Sequence, residues 1–134
     1  MIFTSSNHNI ILTHNNELYV CGLNKFGQLG LGDDNKRNQY VKLEHNFGQI
    51  KNIFCSRDHN IILNEQNELY VCGLNYEGQL GLGDNVNRNQ YEKLEHNFGQ
   101  IKNIFCGFYY NMILNEHNEL YVCGNFGLDD NIVL

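Results

Sequence analysis

The chain has 134 residues, 42% hydrophobic and 18% charged, with nine Lys and Arg against 15 Asp and Glu and a formal net charge of −6. That length fits a single domain with room for a core, while the acidic balance, with no basic run longer than Lys36-Arg37, argues against nucleic-acid or anionic-membrane partners. Ala, Pro and Trp are absent, and 23 Asn stand beside 13 Gly, eight Tyr and eight Phe, a composition that disfavours a helical bundle and favours strands joined by turns.

Taken in chain order, Met1–Asn9 has neither a charged n-region nor a small-residue cleavage site, so no signal peptide is expected. No apolar stretch approaches the ~20 residues that cross a bilayer. Five scattered cysteines, an odd number, and the lack of any Asn-x-Ser/Thr acceptor point to an intracellular, reducing setting, nuclear or cytoplasmic. Residues 1–16 read as an incomplete first unit. The run Glu17-Leu18-Tyr19-Val20-Cys21-Gly22-Leu23-Asn24 then returns at Glu68–Asn75 and again at Glu119–Gly124, each time at an offset of 51. Residues 16–55 and 67–106 are identical at 34 of 40 positions, and the six differences, at 25, 26, 34, 35, 36 and 41, lie in or just after a glycine-rich loop. The chain is therefore expected to be one repeat domain over 1–134, with an incomplete repeat 1–16, repeats 17–67 and 68–118, and a truncated repeat 119–134. Substitutions confined to one loop mark it as solvent-facing, so Lys25, Phe26, Tyr76 and Glu77 are the candidate partner-binding residues.

The second unit shows the strands most clearly. Gln49–Cys55 and His59–Asn64 form the first two, Glu65-Gln66-Asn67 turns the chain, and Glu68–Gly73 forms the third. The loop Gly78–Asp84 leads to a fourth strand, Asn89–Leu94, and Glu95–Gly99 turns back. In the third strand Leu69 and Val71 point one way and Tyr70 and Cys72 the other. A strand apolar on both faces must be covered on both, which sheets stacked face to face around an axis achieve. The expected fold is all-β, a propeller-like array of four-stranded units.

The segment Val20-Cys21-Gly22-Leu23-Asn24-Lys25-Phe26-Gly27-Gln28-Leu29-Gly30-Leu31-Gly32-Asp33, repeated from Val71 to Asp84, resembles the repeat of the RCC1 (regulator of chromosome condensation) family. The stretch Ile53–Leu63 is similar to the family's second signature, with Ser56 where Gly is usual; Phe105–Leu114 keeps Gly107 but has Tyr110 in place of His. The resemblance covers essentially the whole chain and implies a β-propeller in which His8 and His59 help fix the blades by hydrogen bonds. Family propellers typically close with about seven blades. About three four-stranded blades are expected here, open unless completed by oligomerisation. The third glycine-rich loop is collapsed to Gly124–Asp130, and the chain stops at Asn131–Leu134.

Candidate chemistry is sparse. The loop Gly27–Gly32 and its twin at 78–83 lack the Gly-Lys-Ser/Thr and following helix of a phosphate cradle, so turn-forming glycines are expected. Cys55 with His59 is the one close Cys–His pair, and its counterparts, Thr4/His8 and Cys106/Tyr110, do not keep the pairing, so core thiols rather than a metal site are expected. Four of the five Ser and Thr precede position 14, leaving no nucleophile–base set within the repeat. Asp33, Asp34 and Asp84 suit turn capping, and His45 and His96 suit an exposed turn. No catalytic residue, cofactor or metal is assigned. Proteins of that family include nucleotide-exchange factors for small GTPases, chromatin binders, ubiquitin-ligase modules and a photoreceptor that relies on tryptophans, of which this chain has none, and none of these roles is assigned to it. The leading expectation is a non-enzymatic module binding an unidentified protein partner, with no nucleic acid and no membrane. Alternatives are self-assembly into a homo-oligomer that completes a propeller, an exchange factor-like regulator, or a non-functional fragment of a longer protein.

Overall fold

A computed structural model describes residues 1–126. Among them are eleven strands and no helix, in three antiparallel sheets. The first sheet has the order β1 (Ile2–Thr4), β2 (His8–Leu12), β3 (Leu18–Gly22), β4 (Arg37–Leu43). The second repeats it as β5 (Ile50–Cys55), β6 (His59–Asn64), β7 (Leu69–Gly73), β8 (Arg88–Lys93). The third has β9 (Ile101–Cys106), β10 (Tyr110–Asn115) and β11 (Leu120–Gly124); the collapsed loop Gly124–Asp130 and the terminal Asn131–Leu134 run beyond the described residues.

The strands fall where the alternation places them, with one-residue shifts that have local causes. The first strand of the second sheet starts at Ile50 rather than Gln49, whose carbonyl instead accepts the Glu65 N–H at 2.8 Å. The fourth begins at Arg88, which pairs with Gly73 across a bulge, and the ladder continues past it through the Leu94 N–H to the Leu69 carbonyl at 2.9 Å. Asn16, Asn67 and Asn118 close the hairpins between second and third strands with φ of 64°, 66° and 60°, a region asparagine tolerates better than most residues.

The sheets meet edge-on only through their first strands, β1 with β5 and β5 with β9, so they fan outward and pack face to face. Two apolar cores fill the spaces between them. In the first, Phe3, Ile10, Leu12, Leu18, Val20 and Leu29 meet Ile53, Ile62, Tyr70, Cys72 and Tyr91. In the second, Phe54, Ile61, Leu63, Leu69, Val71 and Leu80 meet Ile101, Ile104, Ile113 and Tyr121. The middle sheet therefore buries both faces, Tyr70 and Cys72 on one side and Leu69 and Val71 on the other.

Each core is crossed by the same polar bridge. His8 Nε2 lies 2.5 Å from Asn60 Oδ1, and the Asn60 amide donates to the Gln28 carbonyl at 2.5 Å. Because that NH2 is committed to a carbonyl, its oxygen faces the ring and the imidazole donates from Nε2. One repeat later His59 Nε2 meets Asn111 Oδ1 at 2.8 Å, and Asn111 donates to the Gln79 carbonyl. At the opposite end of the sheets Asn16 clamps the next sheet, donating to the Gly48 carbonyl at 2.8 Å and accepting the Ile50 N–H at 2.9 Å. Asn67 does the same for Gly99 and Ile101 at 2.7 and 2.9 Å.

Two consequences can be measured. Leu69 is 2% exposed and its counterpart Leu120 is 55% exposed. Leu69→Ala should cost about 2–5 kcal/mol in urea unfolding of dilute protein, and Leu120→Ala no more than about 0.5 kcal/mol. Burial also pushes the pKa of both His8 and His59 below the ordinary value of 6.5, against a smaller raising effect of their asparagine hydrogen bonds. The unfolded chain then binds more protons below about pH 6.5, so stability is fully present above that value and is lost as pH falls through the window beneath it. The urea midpoint should drop between about pH 7.5 and pH 5, and a His8→Gln, His59→Gln double variant should lose most of that dependence.

Candidate functional site

Antiparallel order brings the turn after the first strand and the loop after the third to the same end of every sheet. The backbone ties them together: Leu23 N–H to the Asn7 carbonyl at 2.8 Å, Leu74 N–H to the Asp58 carbonyl at 2.9 Å, and Asn125 N–H to the Tyr109 carbonyl at 2.7 Å. Glycine is required at this junction. Gly73 has φ of +109°, and a Cβ there would lie 2.3 Å from the Asp58 carbonyl oxygen.

Each long loop is held by its own side chains. Asn24 is buried; its Oδ1 accepts the Leu29 N–H at 2.9 Å, and its amide donates to the Asp33 and Asn35 carbonyls at 2.9 and 3.1 Å. Buried Gln28 takes the Phe26 N–H on Oε1 at 2.9 Å. Asp33 accepts the Asn35 N–H at 2.9 Å and a two-point contact from Arg37 at 3.1 and 2.7 Å. Asn75, Gln79, Asp84 and Arg88 repeat the set one unit later. The Arg88 guanidinium, with the Val86 N–H behind it, lowers the Asp84 carboxyl to about 2, so the aspartates act as charged turn caps. The glycine-rich segment packs on the next sheet: the Gly32 N–H reaches the Asn89 carbonyl at 2.8 Å, and a Cβ on Gly30 would lie 2.6 Å from the Tyr91 ring. These glycines serve close approach, and no helix follows them.

The residues at the crest of the loops are those that differ between units. Phe26 and Tyr76 come together edge-on, with ring centroids 5.9 Å apart and an interplanar angle of 76°. Lys25 Nζ sits 5.6 Å from the centre of the Phe26 ring. Glu77 turns towards the third sheet and accepts from the Asn125 amide at 3.4 Å. Tyr76 remains 62% exposed. Three more residues belong to this end. Arg57, in the turn before β6, holds its guanidinium 5.6 Å from the ring of Phe108, and Phe108 and Tyr109 in the corresponding turn of the third sheet are exposed. Their signal was present in the sequence: Ser56-Arg57-Asp58 and Gly107-Phe108-Tyr109 differ between units just as the loop crests do.

Three of the five thiols are masked by burial. Desolvation pushes the Cys55, Cys72 and Cys106 thiols up to about 12, so little thiolate exists at neutral pH. Among the described residues no group of three His, Cys, Asp or Glu could hold a metal ion, and no helix is long and apolar enough to cross a membrane. His45 and His96 are exposed, each with its ring tilted against that of a phenylalanine two residues on, Phe47 at 4.3 Å and Phe98 at 4.6 Å between centroids. A cavity of about 210 Å³ lies between the second and third sheets, lined by Leu80, Gly81, Phe98, Tyr121 and Cys123. In the first pair of sheets the Tyr91 ring fills the equivalent space, 5.0 Å from Phe47.

Residues 15–63 and 66–114 each match the sequence profile of the Regulator of chromosome condensation (RCC1) repeat, and residues 50–79 match a second profile of the same repeat. The chain is similar to the X-linked retinitis pigmentosa GTPase regulator of Canis lupus familiaris, 34% identical over 125 residues that cover 88% of this chain and 12% of that protein. It is similar also to the secretion-regulating guanine nucleotide exchange factor of Bos taurus, 33% identical over 111 residues covering 81% of this chain and 24% of that protein. The crystal structure of human WBSCR16 shares the fold, with a TM-score of 0.84 at 23% identity over 99% of this chain and 35% of that one. The chain thus spans between 12% and 35% of the length of these proteins.

Proposed function

The chain belongs to the RCC1 repeat family, and from that membership we propose that it is a non-enzymatic module that binds a protein partner through the loop-bearing end of its sheets. The observation that carries this reading is the pairing of Phe26 with Tyr76 on two loops locked by Asn24, Gln28, Asn75 and Gln79. Aromatic and arginine side chains on a rigid support lose little entropy on binding and supply most hot-spot energy at protein interfaces. Lys25 and Glu77 beside the pair, and Arg57, Phe108 and Tyr109 on the same end, extend the surface with charge of both signs. A net charge of −6 favours a protein over a nucleic acid or an anionic membrane as the partner. Five free thiols suit a reducing, intracellular site of action. The relatives' names describe regulators and exchange factors, in keeping with a binding role.

A Phe26→Ala, Tyr76→Ala variant should keep the urea midpoint of the wild type, since Tyr76 is exposed and neither ring belongs to a core. In quantitative affinity capture from cell extract it should lose about five- to thirtyfold of whichever protein the wild type enriches, the loss of about 1–2 kcal/mol that truncating a hot-spot ring brings. Equal capture by both proteins would count against this surface. A second reading, nucleotide exchange on a small GTPase, draws its support from the exchange factor among the relatives. Release of fluorescent GDP from a small GTPase should be unchanged when the chain alone is added; acceleration would favour the exchange reading.

A further inference from the structure

Among the described residues, half of a repeated interface is exposed on each outer sheet. The trailing face of the third sheet carries Phe105, Leu120 and Val122, which are 48%, 55% and 52% exposed. One repeat earlier the same residue types, Phe54, Leu69 and Val71, pack against Ile104, Ile113 and Tyr121 of the next sheet. The leading face of the first sheet carries Ile2 and Tyr40, 67% and 46% exposed, together with half-buried Ile11 and Cys21. Their counterparts, Ile53, Tyr91, Ile62 and Cys72, form the leading face of the second sheet and are buried against the trailing face of the first. Among the described residues there are therefore two complete trailing-to-leading junctions, one exposed trailing face, and one exposed leading face built from the same side chains.

We propose that these two faces bind one another between copies of this chain, the trailing face of the third sheet of one copy seating on the leading face of the first sheet of the next. The occupant is specified by the molecule itself, because the contact continues an interface it already makes twice. Its apolar centre would place Leu120 and Val122 of one copy against Ile2 and Ile11 of the other, as Leu69 and Val71 sit against Ile104 and Ile113. The polar bridge has a counterpart as well. Asn9 occupies the position of Asn60 and Asn111, and Tyr110, in the place of His8 and His59, still offers a donor in its phenol hydroxyl. A head-to-tail contact of this kind is heterologous, so it closes into a ring or grows into a filament according to the rotation per copy. It is also independent of the loop crests, so failure of one proposal leaves the other standing.

Light scattering across a rising concentration series should show a mass above the 15.6 kDa of the single chain. Val122→Asp removes the trailing face and Ile2→Asp the leading face, and each variant alone should stay at the single-chain mass. Mixed in equal amounts they should associate again, because one copy contributes an intact leading face and the other an intact trailing face. That recovery also demonstrates that both variants are folded, and matching circular-dichroism melts provide an independent check. A wild type that remains monomeric throughout overturns the proposal. So does association that Val122→Asp abolishes and Ile2→Asp leaves intact, since the trailing face would then be pairing with itself. Two variants that stay monomeric on mixing, with wild-type melts, overturn it too.

Discussion

The structure depends on sheets that are apolar on both faces. In β7 the successive side chains of Leu69, Tyr70, Val71 and Cys72 leave no polar side to turn to water, and each face needs a partner of its own. Stacking satisfies that need for the middle sheet, whose two faces enter two separate cores. It cannot satisfy the outer sheets within the described residues, where the same side-chain types are about half exposed. A repeat that buries itself only against its neighbours has a stability that rises with each junction formed, and it ends in faces that still match its interior.

Within that stack, hydrophobic contact alone would let one sheet slide over another, since leucine, isoleucine and valine offer no directional preference. The histidine–asparagine–carbonyl bridge removes that freedom. Displacing either sheet would leave a buried imidazole N–H, an amide and a carbonyl without partners, at a cost of about 1–3 kcal/mol for each orphaned group. The second bridge is less completely satisfied than the first. Ser5 Oγ lies 2.9 Å from His8 Nδ1, whereas its counterpart Ser56 turns to the Gly107 carbonyl at 2.6 Å and leaves buried His59 Nδ1 unpaired. Gln79 Nε2 is likewise buried without a side-chain or backbone partner.

The loop end inherits its rigidity from this arrangement. Asn24 and Gln28 hold the loop from within, and Asn60 of the next sheet takes the Gln28 carbonyl, so the segment that supports Phe26 is fixed both by its own turn and by the neighbouring sheet. The same side chain thus sets sheet registry and loop position. Variation is tolerated at Lys25, Phe26, Tyr76 and Glu77 because none of them supplies a side-chain hydrogen bond to that frame, apart from the single contact of Glu77 with Asn125.

Much of this was readable from residues alone. The 51-residue period, the strands, the hairpin asparagines and the two apolar faces of Leu69–Cys72 are local or periodic features, and alternation along a strand sets them without reference to distant chain. The exposed crest at Lys25–Phe26 and Tyr76–Glu77 was legible as the place where two nearly identical units differ. The turns of Arg57, Phe108 and Tyr109 vary between units in the same way, but that they join this crest emerges only once the sheets are folded antiparallel, because turn and loop are separated along the chain by two strands. What each unit is follows from its residues alone, since strand, turn and face depend on neighbours a few positions apart. That His8 reaches Asn60 and Phe26 meets Tyr76 emerges with the folded stack, because such contacts depend on the rotation between sheets, a distance across space to which no spacing along the chain corresponds.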